Sequence, residues 1–400
     1  MKKILLLGGS RYLVPVIEAI HGLGYYAITC DYLPDNIAHK YSDEYHNLSI
    51  IEKDEILTLA RKLKIDGIMS FATDPGVVTA AYVAEELGLP SVGSYEAVSI
   101  LQNKELFRQY LADHDFNVPK AKGYSNVEDA LMDANSFQWP VIVKPVDSAG
   151  SKGVTRSDKV DDLPFAVEYA MQFSKTDRVI IEEFIQQQGF SSDSDYFSID
   201  GKLAFASFDD QRFDENAANP HTPSAYSWPS TMPAGILDEL RSELQRLITL
   251  LNLKTSLYNI ETRQGTDGKG YIMEVSPRGG GNRLAEILHY ASGVDLVTNA
   301  VRAAVGDEII GIDGDPVYNG NWSIVILHSD GDGIFKNLRI DKSILSCVIE
   351  EDLWVKPGDE VRSFTGANEA IGSLVLRFDS EDQLRDVMNN VPEYIRVNIK

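Results

Sequence analysis

Short apolar runs alternate with helical periodicity through residues 1–90, and few folds accept that pattern. KILLL, from Lys3 to Leu7, reads as a buried strand. Gly8-Gly9 then turns the chain into helical spacing from Tyr12 to Leu23. YAITC is a second strand ending at Asp31, DEILTLARKLK a helix and DGIMSF a strand, and Pro75 to Leu87 is a helix with proline in its first turn. Strand–helix alternation of this kind builds a parallel sheet with right-handed crossovers. GLPSVG punctuates the chain before NKELFRQYLADH begins a new helix, which places a boundary near Ser94 to Gln102.

From Lys120 to about Val305 the pattern becomes paired strands with longer helices between them. WPVIVKP and RVIIEEFI are strand-like, and FSIDGKLAFASF is a hairpin around Asp200-Gly201. Asp209 to Thr231 has no periodicity and contains Pro220, Pro223 and Pro229, so it reads as a long ordered loop. Pro233 to Leu251 is an amphipathic helix. YNIETRQGTDGKGYIMEVSPR is a second hairpin, followed by helices from Asn282 to His289 and from Asp295 to Val305. The remaining residues are β-rich. The expected organisation is α/β with three parts: a parallel-sheet domain over 1–100, a central α+β domain over 101–310 and a β-rich part over 311–400.

A chain of 400 residues with 44% apolar content has enough material for several packed cores. Its net charge of -23 argues against nucleic acid and anionic lipid as partners. An anionic small ligand stays open, because a few lysines in a cleft reverse the field locally. Cys30 and Cys347 form neither a disulfide framework nor a metal cluster, as expected in a reducing cytoplasm. The opening MKKILLLGG is too short for a secretory core, and no stretch reaches the roughly 20 apolar residues of a membrane span. A soluble cytoplasmic protein is expected.

The second hairpin has a geometry that can be worked out in advance. With Asp267-Gly268 in a two-residue type I′ turn, Thr266 closes against Lys269. Glu261 then stands opposite Glu274, Asn259 opposite Ser276, and Tyr258, Ile260, Met273 and Val275 share the apolar face. Opposed like charges about 4.5–5.5 Å apart at Cβ repel, so the two glutamates need a cation between them or a retained proton. An all-oxygen set of this kind suits Mg²⁺. An exposed hairpin face with both glutamates in solvent would have the same sequence. Arg278, followed by Gly279-Gly280-Gly281, adds a cation on the same sheet edge that can stabilise a transferred phosphoryl group.

VIVKPVDSAGSKGV ends an apolar strand on Lys144 and continues into a loop of glycines, hydroxyls and Lys152. Amide groups of such a loop can fold over phosphates, although a mobile surface loop would read the same way. It is not GxxxxGK[ST], and LGGSRY near the N-terminus is not GxGxxG, which weakens a dinucleotide reading. IIEEFI offers an acid beside apolar residues, as a nucleotide base would need.

In order along the chain, NKELFRQYL, VIVKPVDSAGSKGV, RVIIEEFI and YIMEVSPRGGG resemble the ATP-grasp superfamily, nearest its carboxylate–amine ligase and carbamoyl-phosphate synthetase-like branch. The resemblance covers about three quarters of the chain and implies a parallel-sheet domain preceding the ATP-grasp fold, whose lid would cover about 120–185. It further implies that Lys104 and Lys144 bind ATP phosphates beneath a loop containing Ser148, Gly150, Ser151, Lys152 and Gly153. Glu182 would accept from the adenine amine, with Glu183 and Ile185 adding backbone groups. Glu261 and Glu274 would hold Mg²⁺ or Mn²⁺, with Ser276 where relatives commonly have asparagine, and Arg278 would steady an acyl phosphate. Ser191 occupies the position of the ribose-binding acid of relatives, so no ribose contact is assigned. Asp193 and Asp195 follow, with two readings open: a place near that contact, or simply lining the strand.

The reaction so implied joins a small carboxylic acid to an amine with release of ADP and phosphate. Arg212 and His221, in the long loop, and Arg283 are the candidate substrate contacts. A glycinamide ribonucleotide synthetase-like or carbamoyl-phosphate-type ligase and a non-catalytic nucleotide-binding regulator are the alternatives. Homodimers are frequent in such families.

Overall fold

The computed structural model describes residues 1–148, 150 and 152–400. Ser151 lies outside them. The N-terminal sheet has four parallel strands in the order Glu44–His46, Tyr26–Cys30, Lys3–Leu7, Gly67–Ser70. All the strands and helices expected from the alternation form, and the boundary segment is itself a helix, Tyr95–Gln102. Strand order reverses at Lys3–Leu7. A doubly wound sheet opens its crevice at such a point, beyond the carboxyl ends of the strands. The residues that follow the two flanking strands, Tyr12 and Asp74, therefore face into that crevice.

The lid sheet runs Ala121–Tyr124, Val179–Glu183, Val141–Pro145, Thr155–Ser157, and helices Val127–Asp133 and Leu163–Met171 cover it. The central sheet runs Lys202–Ala206, Ser192–Ile199, Ser256–Gln264, Gly270–Ser276, all antiparallel. Helix Ala234–Leu250 buries Leu240, Leu244 and Leu247, spaced three and four apart, against Tyr258, Ile260, Ile272 and Val275 of that sheet.

The stretch Asp209–Thr231 corrects the expectation of a loop. It contains two strands, Asp210–Phe213 and Pro223–Trp228, which pair with each other and continue into Asn321–Leu327, Gly372–Phe378 and Val348–Leu353 as a five-stranded sheet. The period-two signal is missing because both faces of these strands are buried, from Asp210 to Arg212 and from Ser224 to Trp228. The prolines sit where a strand tolerates them: Pro223 at its first residue and Pro229 just past its end. This sheet draws strands from both sides of residue 310. One core also joins Ile4, Leu6 and Ile17 to Trp228, Leu284, Ile287, Trp322 and Val375. No helix among the described residues is long and apolar enough to cross a membrane.

Candidate active site

The hairpin register places Glu261 opposite Glu274 and Asn259 opposite Ser276, as expected. The turn that produces it differs. Gln264 pairs with Gly270, the Gly265 amide donates to the Lys269 carbonyl at 2.9 Å, and the turn's positive φ falls on Gly268, at 82°, with none at Asp267. This is a three-residue loop with glycine in the left-handed position, not a type I′ turn. A β-bulge between Glu261 and Thr262 leaves Met273 as the extra residue and restores the register. Ile272 consequently takes the core position expected for Met273.

The neighbouring strand extends the pattern. Asp193 stands beside Glu261 and Asp195 beside Asn259, which gives two rungs on one face: Asp193–Glu261–Glu274 and Asp195–Asn259–Ser276. Each glutamate has its own cation. Arg263 donates to Glu261 at 2.7 Å, and Lys104 lies 3.7 Å from Glu274. Burial above all, with Glu261 alongside, pushes Asp193 up to about 8. Burial pushes Asp195 up to about 7, although the Gly280 amide donates to it at 2.8 Å. A side chain at Gly280 would collide with Leu284, Asn259 and Asp195, so close approach rather than flexibility explains that glycine.

Arg278 is nearly buried at the end of the second rung. It donates to Asp74 through Nε at 2.9 Å and Nη2 at 2.7 Å, and to Asn259 at 3.2 Å. Burial opposes both charges, yet each partner outweighs it, holding Asp74 below the usual carboxylate range and Arg278 above its ordinary value. Ser276 donates to the same Asp74 oxygen at 2.9 Å and accepts from Gln102 at 3.3 Å, so its hydroxyl is already engaged.

Across the cleft, Asn103 caps helix Lys104–Asp113, accepting from the Glu105 and Leu106 amides at 3.0 and 3.1 Å. That fixes Lys104 at the helix start, where Nζ donates to the Ser148 carbonyl at 2.9 Å. Arg108, one turn on, shares its face. Glu182 lies between Arg108, whose Nε is 3.0 Å from Oε1 but off the hydrogen-bond line, and Lys144, 2.9 Å from Oε2. Burial opposes ionisation of Glu182, but Arg108 and then Lys144 outweigh it and hold the carboxyl at about 2. Burial pulls Lys144 below its ordinary value despite Glu182.

The Glu182 side chain is thus turned inward and occupied, where the sequence reading had it facing an adenine amine. Glu183 accepts from the Gln138 amide at 2.8 Å. Ile185 belongs to a segment laid on the second hairpin, where the Thr266 amide donates to the Gln186 carbonyl at 2.8 Å and the Gln188 amide to the Gln264 carbonyl at 2.9 Å. Gly150 and Lys152 are exposed on the loop, and Gly153 packs against Phe173 and Pro145.

Residues 137–286 match the family model for an ATP-grasp domain. That stretch carries an ATP-grasp domain. It is 24% identical over 320 residues to the carbamoyl phosphate synthase large chain of Thermotoga neapolitana, covering 76% of this chain but 28% of that protein. It is 30% identical over 188 residues to the formate-dependent phosphoribosylglycinamide formyltransferase of a Synechococcus species, covering 46% of this chain and 47% of that one. The L-amino acid ligase of Bacillus licheniformis superposes with a TM-score of 0.81 at 18% identity, over 100% of this chain and 99% of that one. Phosphoribosylglycinamide synthetase from Anaerococcus prevotii gives 0.78 at 20% identity over the full length of both. The likeness of fold to these two structures extends over the whole of this chain.

The three proposed substrate residues are not brought together. Gln211 faces the row, donating to Asp193 at 3.3 Å, while its neighbour Arg212 donates to Asn389 at 2.9 Å and lies over the Phe190 ring. His221 is exposed on a turn whose Asn219 side chain bonds the Thr365 carbonyl at 3.1 Å. Arg283 is held by Glu286 at 3.0 Å, Glu350 at 2.9 Å and Ser373 at 3.1 Å. Ser191 is buried and donates to Gln211 at 2.9 Å, which leaves the ribose contact unassigned. Asp74, Gln211 and Tyr226 were not anticipated. Arg108 had a readable signal, four residues after Lys104 on one helix face.

With Glu261 and Glu274 each paired already, Glu274→Gln is expected to melt close to the parent when metal and nucleotide are absent. It should lose most of the stabilisation that Mg²⁺ and a non-hydrolysable ATP analogue confer, about 2.7 kcal/mol at a hundred times the Kd. Calorimetry with and without both ligands decides the matter. An undiminished ligand shift would show that the two carboxylates do not hold the ion.

Proposed function

We propose that this chain is an ATP- and Mg²⁺-dependent ligase that joins a small carboxylic acid to an amine, with release of ADP and phosphate. The observation that carries this reading is the reach of Lys104, which links the Ser148 carbonyl of the phosphate-binding loop to Glu274 of the acidic row. The rungs present hard oxygens, with Arg263, Lys104 and Arg278 set against Glu261, Glu274 and Asn259, a donor set that fits Mg²⁺. Glu261 and Glu274 would hold the ion, whose chemistry is to neutralise phosphate charge.

The chain's own residues supply charge and position, which is what phosphoryl transfer asks of a protein. Lys104 and Lys144 neutralise the phosphates. A substrate carboxylate oxygen attacks the terminal phosphorus and ADP leaves, with Arg278 set where negative charge gathers on the acyl phosphate. The amine nitrogen then attacks the acyl carbon, inorganic phosphate departs and the nitrogen loses its proton. Both cysteines are buried in cores apart from the row, so neither serves as a nucleophile. The names of the relatives, synthetases and ligases among them, support the same class of reaction.

The test is product analysis with pooled carboxylic acids, with and without added amines. ADP and phosphate released only when both are present is the expected result. AMP and pyrophosphate would indicate adenylation, and nucleotide binding without release would favour a regulator.

A further inference from the structure

A second set of ligating side chains lies away from the acidic row. Asp214, just past strand Asp210–Phe213, and His328 and Asp330, just past strand Asn321–Leu327, bring one ligand atom each to within 4.8 Å of one another. His328 is oriented from two sides. Its ring stacks on the buried Phe364 with centroids 4.2 Å apart, and Nδ1 lies 2.7 Å from the Ile326 carbonyl oxygen. A carbonyl only accepts, so Nδ1 carries the proton, and on a neutral ring Nε2 presents a lone pair. That nitrogen faces Asp214 Oδ2, another acceptor, at 3.2 Å. Two lone pairs so placed need either a cation between them or a second ring proton.

The spacing fits the cation. Two ligands each about 2.0–2.1 Å from a tetrahedral ion stand about 3.3 Å apart. Asp330 is exposed, and its carboxylate oxygen lies within 4.8 Å of the other two ligand atoms. An imidazole held through its other nitrogen by a backbone carbonyl is the usual support of a metal-ligating histidine. One imidazole with two carboxylates suits a borderline ion such as Zn²⁺ better than Mg²⁺, which prefers oxygen alone.

We propose that Asp214, His328 and Asp330 form a second divalent-metal site, of the Zn²⁺ class, separate from the nucleotide site. The ion fastens the turn after Asp214 to the C-terminal sheet. That turn already reaches across there, since the Asn219 amide donates to the Phe364 carbonyl at 3.1 Å.

The test uses the full chain, stripped with a chelator and free of nucleotide. It is titrated with Zn²⁺ by calorimetry and loaded with Co²⁺ for visible absorption. One Zn²⁺ per chain is expected, with Co²⁺ bands of nitrogen–oxygen ligation, and uptake should persist in Glu274→Gln. His328→Gln and Asp330→Asn should each weaken it by more than the roughly 10–100-fold that loss of an outer-shell partner costs. Asp330 is exposed, so its variant reads binding without a folding penalty. The proposal is overturned if the parent takes up no Zn²⁺ and nitrogen NMR finds the His328 ring doubly protonated, which leaves an ion pair only. Uptake unchanged in both variants, or abolished by Glu274→Gln, overturns it equally.

Discussion

Replacing Arg278 with methionine is expected to cut ADP release by about 10²–10³-fold, the usual cost of removing one donor aimed at transition-state charge. Lysine should not rescue it, because the present geometry uses three nitrogens of a planar fork on Asp74 and Asn259. The substitution also strands Asp74, which would keep only the Ser276 hydroxyl of these partners. Part of any loss could therefore be structural. The double variant Arg278→Met with Asp74→Asn separates the two effects by removing both partners of the ion pair. It should recover thermal stability relative to the single variant without recovering turnover. Recovery of ADP release would mean that Arg278 only braces the loop.

Glu182→Gln is expected to destabilise the lid by about 3–5 kcal/mol, since it leaves Arg108 and Lys144 buried without their counter-charge. The same carboxylate predicts a pH dependence. Its folded value, about 2, lies below the ordinary 4.5, so its stabilisation is fully present above pH 4.5 and is lost as pH falls toward 2. The difference corresponds to about 3 kcal/mol. Calorimetry at pH 5 and pH 3, with hydrogen exchange read on strands Val141–Pro145 and Val179–Glu183, should show about 2 kcal/mol of this loss in the parent, the part that falls within that window. Glu182→Gln should show that much less of it. Equal acid sensitivity in both proteins would assign the slope to other carboxylates.

What could be read from the sequence, and what could not, separates along physical lines. Three strands of the parallel sheet, Lys3–Leu7, Tyr26–Cys30 and Gly67–Ser70, were legible because they are mainly apolar, whereas the edge strand Glu44–His46 is polar and half-buried and gave no signal. The Glu261–Glu274 pairing was legible although the turn was not, because the bulge at Met273 offsets the extra loop residue. The strands at Asp210–Phe213 and Pro223–Trp228 escaped because burial on both faces erases alternation. Asp193 and Asp195 show their i, i+2 spacing in the sequence, but their places beside Glu261 and Asn259 depend on which strand lies next in the sheet. The inward turn of Glu182 depended on Arg108, from a helix more than seventy residues earlier. The role of Asp74 depended on how the N-terminal sheet docks.

The loop from Arg278 to Arg283 has a consequence for how such a chain can be altered by recombination. Its Arg278 bonds Asp74, and its Gly279 carbonyl accepts the Ala72 amide at 3.0 Å. Gly280 donates to Asp195, Asn282 meets both Tyr12 and Tyr226, and Arg283 reaches Glu350. Asn282 and Arg283 hold left-handed φ values of 54° and 63°, which non-glycine residues keep only when their surroundings impose them. Five of its six residues are thus adjusted to three parts of the molecule at once. Exchanging any one of those parts for a homologue's would leave the loop fitted to a partner that is no longer there. New substrate preferences in this scaffold should accordingly arise by point substitution around the loop, with the three parts inherited together.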